Sequence, residues 1–160
     1  MTAVSMTKQE LLELWQGLPA LANLRGFKLG YAVARTKAKL RHEIEALDEA
    51  LKPDKDFQAY EEKRLQLCRK YAQKDAQGNP IIQGDQFMFG ENRGGFDAEM
   101  VPLSEEFAQA IEDRRKQVED YQDSLRGPIE IEVHQIGLED VPEDATVAQV
   151  AVLIHLIKAE

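Results

Sequence analysis

The side chains best suited to metal binding or nucleophilic chemistry are three histidines and one cysteine. His42, His134 and His155 are far apart in the sequence, and none belongs to an HxxxH or HExxH pattern that places metal ligands on one helix face. Cys68 is the only cysteine, which excludes an intramolecular disulfide and a CxxC site. A lone thiol at a helical position is typical of a small core residue. We therefore predict no catalytic residue, no metal site and no cofactor.

Carboxylates and glycines are the remaining candidates for a site. Glu130 and Glu132 alternate in a segment with strand periodicity, so they share a face that can hold a cation, although an exposed charged face is the commoner arrangement. Gly94 and Gly95 lack the preceding strand and the directly following helix of a phosphate-binding loop. No motif indicates a reaction or a small-molecule substrate, so the sequence predicts a non-enzymatic protein.

Composition restricts the class of partner. The 160 residues carry 29 acidic and 20 basic side chains, a net charge of −9, which opposes direct binding to nucleic acid. No segment approaches the ~20 apolar residues of a membrane-spanning helix, and the first residues do not resemble a signal peptide. We expect a protein of the reducing cytoplasm whose partner is another protein or a second copy of itself.

Helical periodicity dominates the first half of the chain. Thr7 and Glu10 have the spacing of a capping box, which opens a helix over residues 7–24 with a break near Gly17. The second helix begins after Arg25-Gly26 and carries a seam of heptad type: Leu29, Val33, Thr36, Leu40, Ile44, Leu47 and Leu51. A second stripe predicts another packed face in its N-terminal half: Phe27, Tyr31, Ala34 and Ala38.

Two further helices each place an arginine in an apolar seam. Pro53 ends the second helix and Asp54 caps a third over residues 54–73, and a fourth helix covers residues 104–126. A charge in a seam is costly unless it is paired. The seam arginines are Arg64 and Arg114. Their expected partners are carboxylates on the second helix, Glu43 or Glu45, or on neighbouring turns, Glu62 and Glu119. Alternatively, the arginine stems lie along the seam while the guanidinium groups reach water.

The hydrophobic period changes from 3.6 to 2 in three segments. Residues 81–83 and 86–89 flank Gly84-Asp85, which is a two-residue hairpin signal. Residues 91–100 are predicted to form a loop. Residues 129–133 alternate apolar and polar side chains and predict a third strand. A sheet of three short antiparallel strands must lie on helices to be stable.

The last segment, residues 147–158, is apolar on nearly every face of a helix capped by Asp144 or Thr146. Such a helix is buried on several sides or is an oligomer contact. Its length argues against insertion in a bilayer. The candidate interaction surface on this helix is Val147, Val150, Ile154 and Ile157.

Together these elements predict a mostly helical α+β fold in a single domain, residues 1–160. It contains a long antiparallel helical hairpin or three-helix bundle, a small three-stranded antiparallel sheet and a buried C-terminal helix. The hairpin, residues 27–77, and a helix over residues 103–126 are expected to protrude from a base made of residues 1–26, 78–102 and 127–160.

Three motifs carry a resemblance to a known class of proteins: GFKLGYAVARTK at the start of the second helix, KDAQGNP after the third, and LEDVPED before the last. With these motifs, most of the chain resembles small proteins of unknown function encoded by tailed bacteriophages. The resemblance implies a viral setting, in a bacterial host cell or on a virion, and no residue roles. We therefore expect a structural or virion-assembly protein. The alternative is an early inhibitor of a host or defence protein, in which an acidic face blocks a basic site.

Overall fold

The protein folds as a mostly helical α+β structure. The computed structural model describes residues 1–158. In chain order the elements are β1 (Thr2–Thr7), α1 (Lys8–Gly17), a 3₁₀ turn (Leu18–Leu21), α2 (Phe27–Leu51), α3 (Lys55–Tyr71), β2 (Ile82–Gln83), β3 (Gln86–Phe87), a 3₁₀ turn (Gly90–Asn92), α4 (Arg93–Glu106), α5 (Ala108–Ser124), β4 (Pro128–Val133), a 3₁₀ turn (Leu138–Asp140) and α6 (Val147–Leu153).

Local sequence signals set several helix ends as predicted. Thr7 and Glu10 form the capping box of α1, which ends at Gly17. Asp54 caps α3, because its carboxylate accepts a hydrogen bond from the Phe57 backbone N–H. The predicted hairpin at Gly84-Asp85 is also present, as β2 and β3 pair across it.

One of two compact units consists of Met1–Leu51 and Asp120–Glu160. In this unit β1 and β4 pair antiparallel, with Val4 opposite Ile131 and Met6 opposite Ile129. One face of this pair joins α1, α2 and α6 in a single apolar core. Its largest fully buried side chains are Leu11, Leu29, Leu40, Leu153, Leu156 and Val133, and the polar Thr36 is fully buried as well. Burial of the α2 seam is therefore confirmed for most of its positions.

The other unit is Lys52–Glu119. Here α3 packs against α4, and the β2–β3 hairpin lies between these two helices in the chain. Cys68 is 2% exposed, which confirms its placement as a core residue, and Phe96 and Leu103 are also buried. The rings of Phe89 and Phe96 stack with centroids 4.2 Å apart.

The predicted three-stranded sheet is wrong. Two separate two-stranded sheets occur in residues 1–158, since β4 pairs with β1 and the β2–β3 hairpin stays by itself. The reason is that residues 2–7 also alternate, with Val4 and Met6 on the side that faces the core. This gives β4 a partner strand that buries the same apolar face.

Two predictions on residues 91–126 are also wrong. Residues 93–100 are helical in α4 and do not form a loop, because this segment packs against α3. The packing is close: a Cβ atom at Gly95 would lie 2.6 Å from Tyr71 Cε1. The fourth helix is not continuous over 104–126, because Phe107 leaves the α region with φ −105° and ψ 19°. The result is two helices, α4 and α5.

The second stripe on α2 does not pack. Phe27 is 86% exposed and Tyr31 is 47% exposed, and Ala34 and Ala38 are exposed too. The core instead receives Ala32, which is fully buried. The two rings stack on each other, with centroids 6.2 Å apart, which covers part of their surface without a second helix.

The C-terminal helix is shorter than predicted and is buried on one side only. α6 ends at Leu153, and a turn over residues 154–156 follows, after which Ile157 forms a bridge with Ile136. Here the Ile136 N–H donates to Leu156 O at 2.8 Å and the Lys158 N–H donates to Ile136 O at 2.9 Å. These hydrogen bonds to Ile136 take the place of the backbone bonds that would continue the helix beyond Leu153. The predicted single domain, its protruding hairpin and the three-helix bundle stay predictions; α2 and α3 belong to different units.

Candidate functional site

Helix α6 is held by its own capping box. The Thr146 hydroxyl accepts from the Gln149 backbone N–H at 3.3 Å, and the Gln149 side-chain oxygen accepts from the Thr146 N–H at 3.0 Å. Thr146 was one of the two predicted caps. Because the cap satisfies exposed donors of the first turn, even this 7-residue helix has a defined start.

The inner side of α6 is fixed by one buried polar side chain and by close packing. Gln149 is 7% exposed, and its amide donates to Ala20 O at 2.8 Å and to Asn23 Oδ1 at 2.9 Å. At Gly17 a Cβ atom would lie 2.5 Å from a Val152 methyl carbon, so α1 and α6 approach as closely as glycine allows. These contacts fix the rotation of α6 about its axis.

The outer side of α6 presents an apolar row to solvent. Val147 is 89% exposed, Val150 is 40% exposed and Ile154 is 64% exposed. Their spacing of three and four residues places them on one helix face. Ile157 is half-buried and takes part in the bridge to Ile136, so it lies outside this row. We call Val147, Val150 and Ile154 the α6 face.

The two seam arginines have local partners. Arg64 makes a bidentate ion pair with Glu61, with Nε–Oε1 and Nη2–Oε2 distances of 2.8 and 2.9 Å. The hydrogen bonds that Arg64 donates to this carboxylate raise the pKa of Arg64 above its ordinary value. Arg114 donates to Gln117 Oε1 at 2.8 Å and lies 5.7 Å above the Phe57 ring.

The predicted pairing of Glu43 and Glu45 with the seam arginines stays a prediction. Glu43 is half-buried and Glu45 is exposed, and both lie on α2, whereas Arg64 and Arg114 belong to the other unit. The Arg114–Phe57 contact was missed by sequence reasoning. The sequence contains a signal for it, since Phe57 lies two helix turns before the seam residue Arg64 and aromatic faces attract guanidinium groups.

The histidines and the strand carboxylates do not form a constellation. His42 is exposed, His134 makes an edge contact with Tyr31 at 5.1 Å, and Glu132 pairs with Lys39 at 2.8 Å. Among residues 1–158, no group of three or more histidine, cysteine, aspartate or glutamate side chains has a metal-binding arrangement. Nor does this part of the chain contain a helix long and apolar enough to span a membrane.

A second exposed apolar patch, formed by the stacked rings of Phe27 and Tyr31, was also missed. Phe27 and Tyr31 line a cleft of about 290 Å³ together with His134 and Asp140. The Asp140 carboxylate is already paired with the Lys28 ammonium at 3.0 Å, and this pair raises the pKa of Lys28. The cleft therefore has aromatic walls and this ion pair, and Glu139 and Lys158 also line it.

Comparison with known proteins adds no relative. No protein-family model matches this chain, and searches of curated proteins and of solved structures find no match either. The α6 face and the charge of the chain are therefore the features that indicate a function.

Proposed function

We propose that this chain is a non-enzymatic bacteriophage protein that acts by binding another protein during virion structure or assembly. The binding surface in this proposal is the α6 face. The observation that carries it is a row of three β-branched side chains, 40–89% exposed, on a helix whose opposite side is fixed by Gln149. A rigid apolar row loses little conformational entropy when it is buried in a groove.

The charge around the α6 face indicates the chemistry of the partner. Residues 145–157 contain no aspartate, glutamate, lysine or arginine, whereas Glu143 and Asp144 just before the helix are exposed. An apolar row beside carboxylates fits a groove with an apolar floor and a basic rim. The partner is therefore a protein with such a groove, and the net charge of −9 favours its approach.

The α6 face is a better candidate than the flank of the predicted helical bundle. The apolar seam of α2 is already used in the core, since Leu40, Ile44 and Leu47 are buried. The exposed sides of α3 and α5 are rich in local ion pairs, such as Arg115 with Glu112 at 2.9 Å. Surface pairs of this kind are solvated and give little binding energy.

The test is a charge placed in the row. In the double variant Val150→Asp with Ile154→Asp, two carboxylates would enter the apolar contact, and we expect the protein to disappear from purified virions and assembly intermediates as measured by mass spectrometry. Ala148→Asp is the matched control, because Ala148 is exposed on the same helix but lies about 100° around the axis from Val147. Absence of the wild-type protein from every particle would refute the proposal.

A second candidate function follows from the acidic surface. An inhibitor of a host or defence protein would use exposed carboxylates to occupy a basic nucleic-acid site. Such an inhibitor would be transcribed before the structural genes, so transcript timing separates the two functions. Early expression together with absence from particles would favour the inhibitor.

A further inference from the structure

The two edges of the β1–β4 sheet differ in how they are protected. The outer edge of β4 begins with Pro128, which has no N–H group, and carries Glu130 and Glu132. At its other end the His134 N–H donates to the Thr36 hydroxyl on α2 at 3.1 Å. Proline, charge and a covering helix are the usual devices that prevent a sheet edge from pairing further.

The direction of the N–H groups of β1 follows from the register. In an antiparallel ladder, opposite residues exchange both hydrogen bonds or none, and the two kinds of pair alternate. Thr7 is opposite Pro128, so this pair exchanges none, and the Thr7 N–H donates instead to the Glu10 carboxylate. The pairs Ser5–Glu130 and Ala3–Glu132 therefore exchange no hydrogen bonds either, and the N–H groups of Ser5 and Ala3 point away from β4.

The outer edge of β1 has none of the protection that β4 has. The strand, TAVSMT, contains no charged residue and no proline. Among residues 1–158, no hydrogen bond from the N–H of Ala3 or Ser5 to an acceptor is formed, and both residues are exposed. An uncharged, exposed edge with two free donors is a template for another strand.

We propose that β1 pairs antiparallel with β1 of a second copy of this chain and forms a four-stranded sheet. The outward donors at Ala3 and Ser5 are symmetric about Val4, so a two-fold axis through Val4 places each Ala3 opposite Ser5 of the other copy. Each such pair exchanges two bonds, about four in all. The half-buried Val4 side chains then meet across the axis, where opposite Cβ atoms are closest.

Electrostatics allows a second copy at this edge despite the net charge of −9. The two contacting strands are uncharged, and the nearest strand carboxylates, on β4 of each copy, would be three strand spacings or about 14 Å apart. This distance exceeds the Debye length of about 8 Å at physiological ionic strength. A two-stranded sheet is also only marginally stable, whereas four strands share a larger apolar face.

The experiment compares Ser5→Pro with Ser5→Ala by light scattering coupled to size exclusion over a range of concentrations. Wild type and Ser5→Ala should have twice the 18.1 kDa mass of the chain, since both keep the outward N–H. Ser5→Pro should have the mass of one chain, because proline removes that donor and its ring blocks the edge. Its circular dichroism should be unchanged, since the N–H does not take part in the β1–β4 ladder.

Two further variants keep the proposal falsifiable if Ser5→Pro does not fold. Ala3→Glu with Ser5→Glu keeps both donors but adds like charges to the contact, so it should dissociate at low salt and associate again at high salt. Wild-type protein that stays monomeric at its highest soluble concentration would overturn the proposal. So would a dimer that survives Ser5→Pro, or one that survives Ala3→Glu with Ser5→Glu at low salt. A dimer that is lost in Val150→Asp with Ile154→Asp would also overturn it, because that result would place the contact on α6.

Discussion

The side chain of Gln149 should determine how firmly α6 is held. Gln149→Met keeps a side chain of similar length but removes three short hydrogen bonds, the two donated to Ala20 O and Asn23 Oδ1 and the one accepted from the Thr146 N–H. It also removes a longer one, accepted from the Thr146 hydroxyl at 3.3 Å, which is left out of the sum. At about 1 kcal/mol net for each bond, the loss is about 3 kcal/mol. Ala20 and Asn23 are exposed, so hydrogen bonds to water can replace part of this loss of stability. Burial of the apolar methionine side chain offsets a further part of the loss. We expect the free energy of unfolding to fall by about 2 kcal/mol.

The assay is urea unfolding followed by far-ultraviolet circular dichroism, with hydrogen exchange to localise the effect. Asn23→Ala removes only one of the three bonds, so its loss should be about 1 kcal/mol, and the double variant should show a coupling energy of similar size. The amides of α6 should exchange faster in Gln149→Met, while those of α3 should not change. An unchanged unfolding midpoint, or a double variant that is simply additive, would refute the idea that Gln149 anchors the helix.

Three other variants or conditions test the packing and the capping. Gly17→Ala should lower stability by about 1–3 kcal/mol in chemical denaturation, because its methyl group overlaps Val152, and Val152→Ala should restore it; a stabilised Gly17→Ala would show that α6 simply shifts. Leu40→Asp should cost several kcal/mol, since it puts an unpaired charge at a position with 0% exposure, and an unchanged melting temperature would disprove burial of the seam. Hydrogen bonds from the backbone and side chain of Thr7 lower the pKa of Glu10. The stability that these bonds contribute is therefore complete above the ordinary carboxyl pKa and is lost as the pH falls through the lowered value. Glu10→Gln should remove that part of the acid dependence of thermal unfolding.

Sequence reasoning succeeded where the determining contacts are local. The Thr7–Glu10 box, the Asp54 cap and the Thr146 cap each depend on residues within four positions of one another, so spacing alone identifies them. The α2 seam was found for a related reason: a helix with one buried side repeats its apolar residues every three or four positions. The α6 face came from the same periodicity, but sequence could not show which side faces the core.

Prediction from the sequence failed where contacts between distant segments decide the structure. The β1–β4 pair joins residues 2–7 to residues 128–133, and no local pattern shows that two such segments meet. The alternation of Val4 and Met6 was a usable signal for β1. Helix α4 was not predicted for another reason. Gly94, Gly95 and Pro102 disfavour a helix, yet packing against α3 overrides this preference.

Thr36 connects the seam of α2 with the unequal edges of the sheet. Its position in a heptad-type seam suits an apolar residue, and a valine there would fill the same space. The threonine hydroxyl is fully buried, however, and accepts the outward N–H of His134 at the end of β4. A buried donor without an acceptor is costly, so the hydroxyl both stabilises the core and closes the β4 edge. Ala3 and Ser5 on β1 have no counterpart to Thr36 among residues 1–158, so this sheet can grow in only one direction.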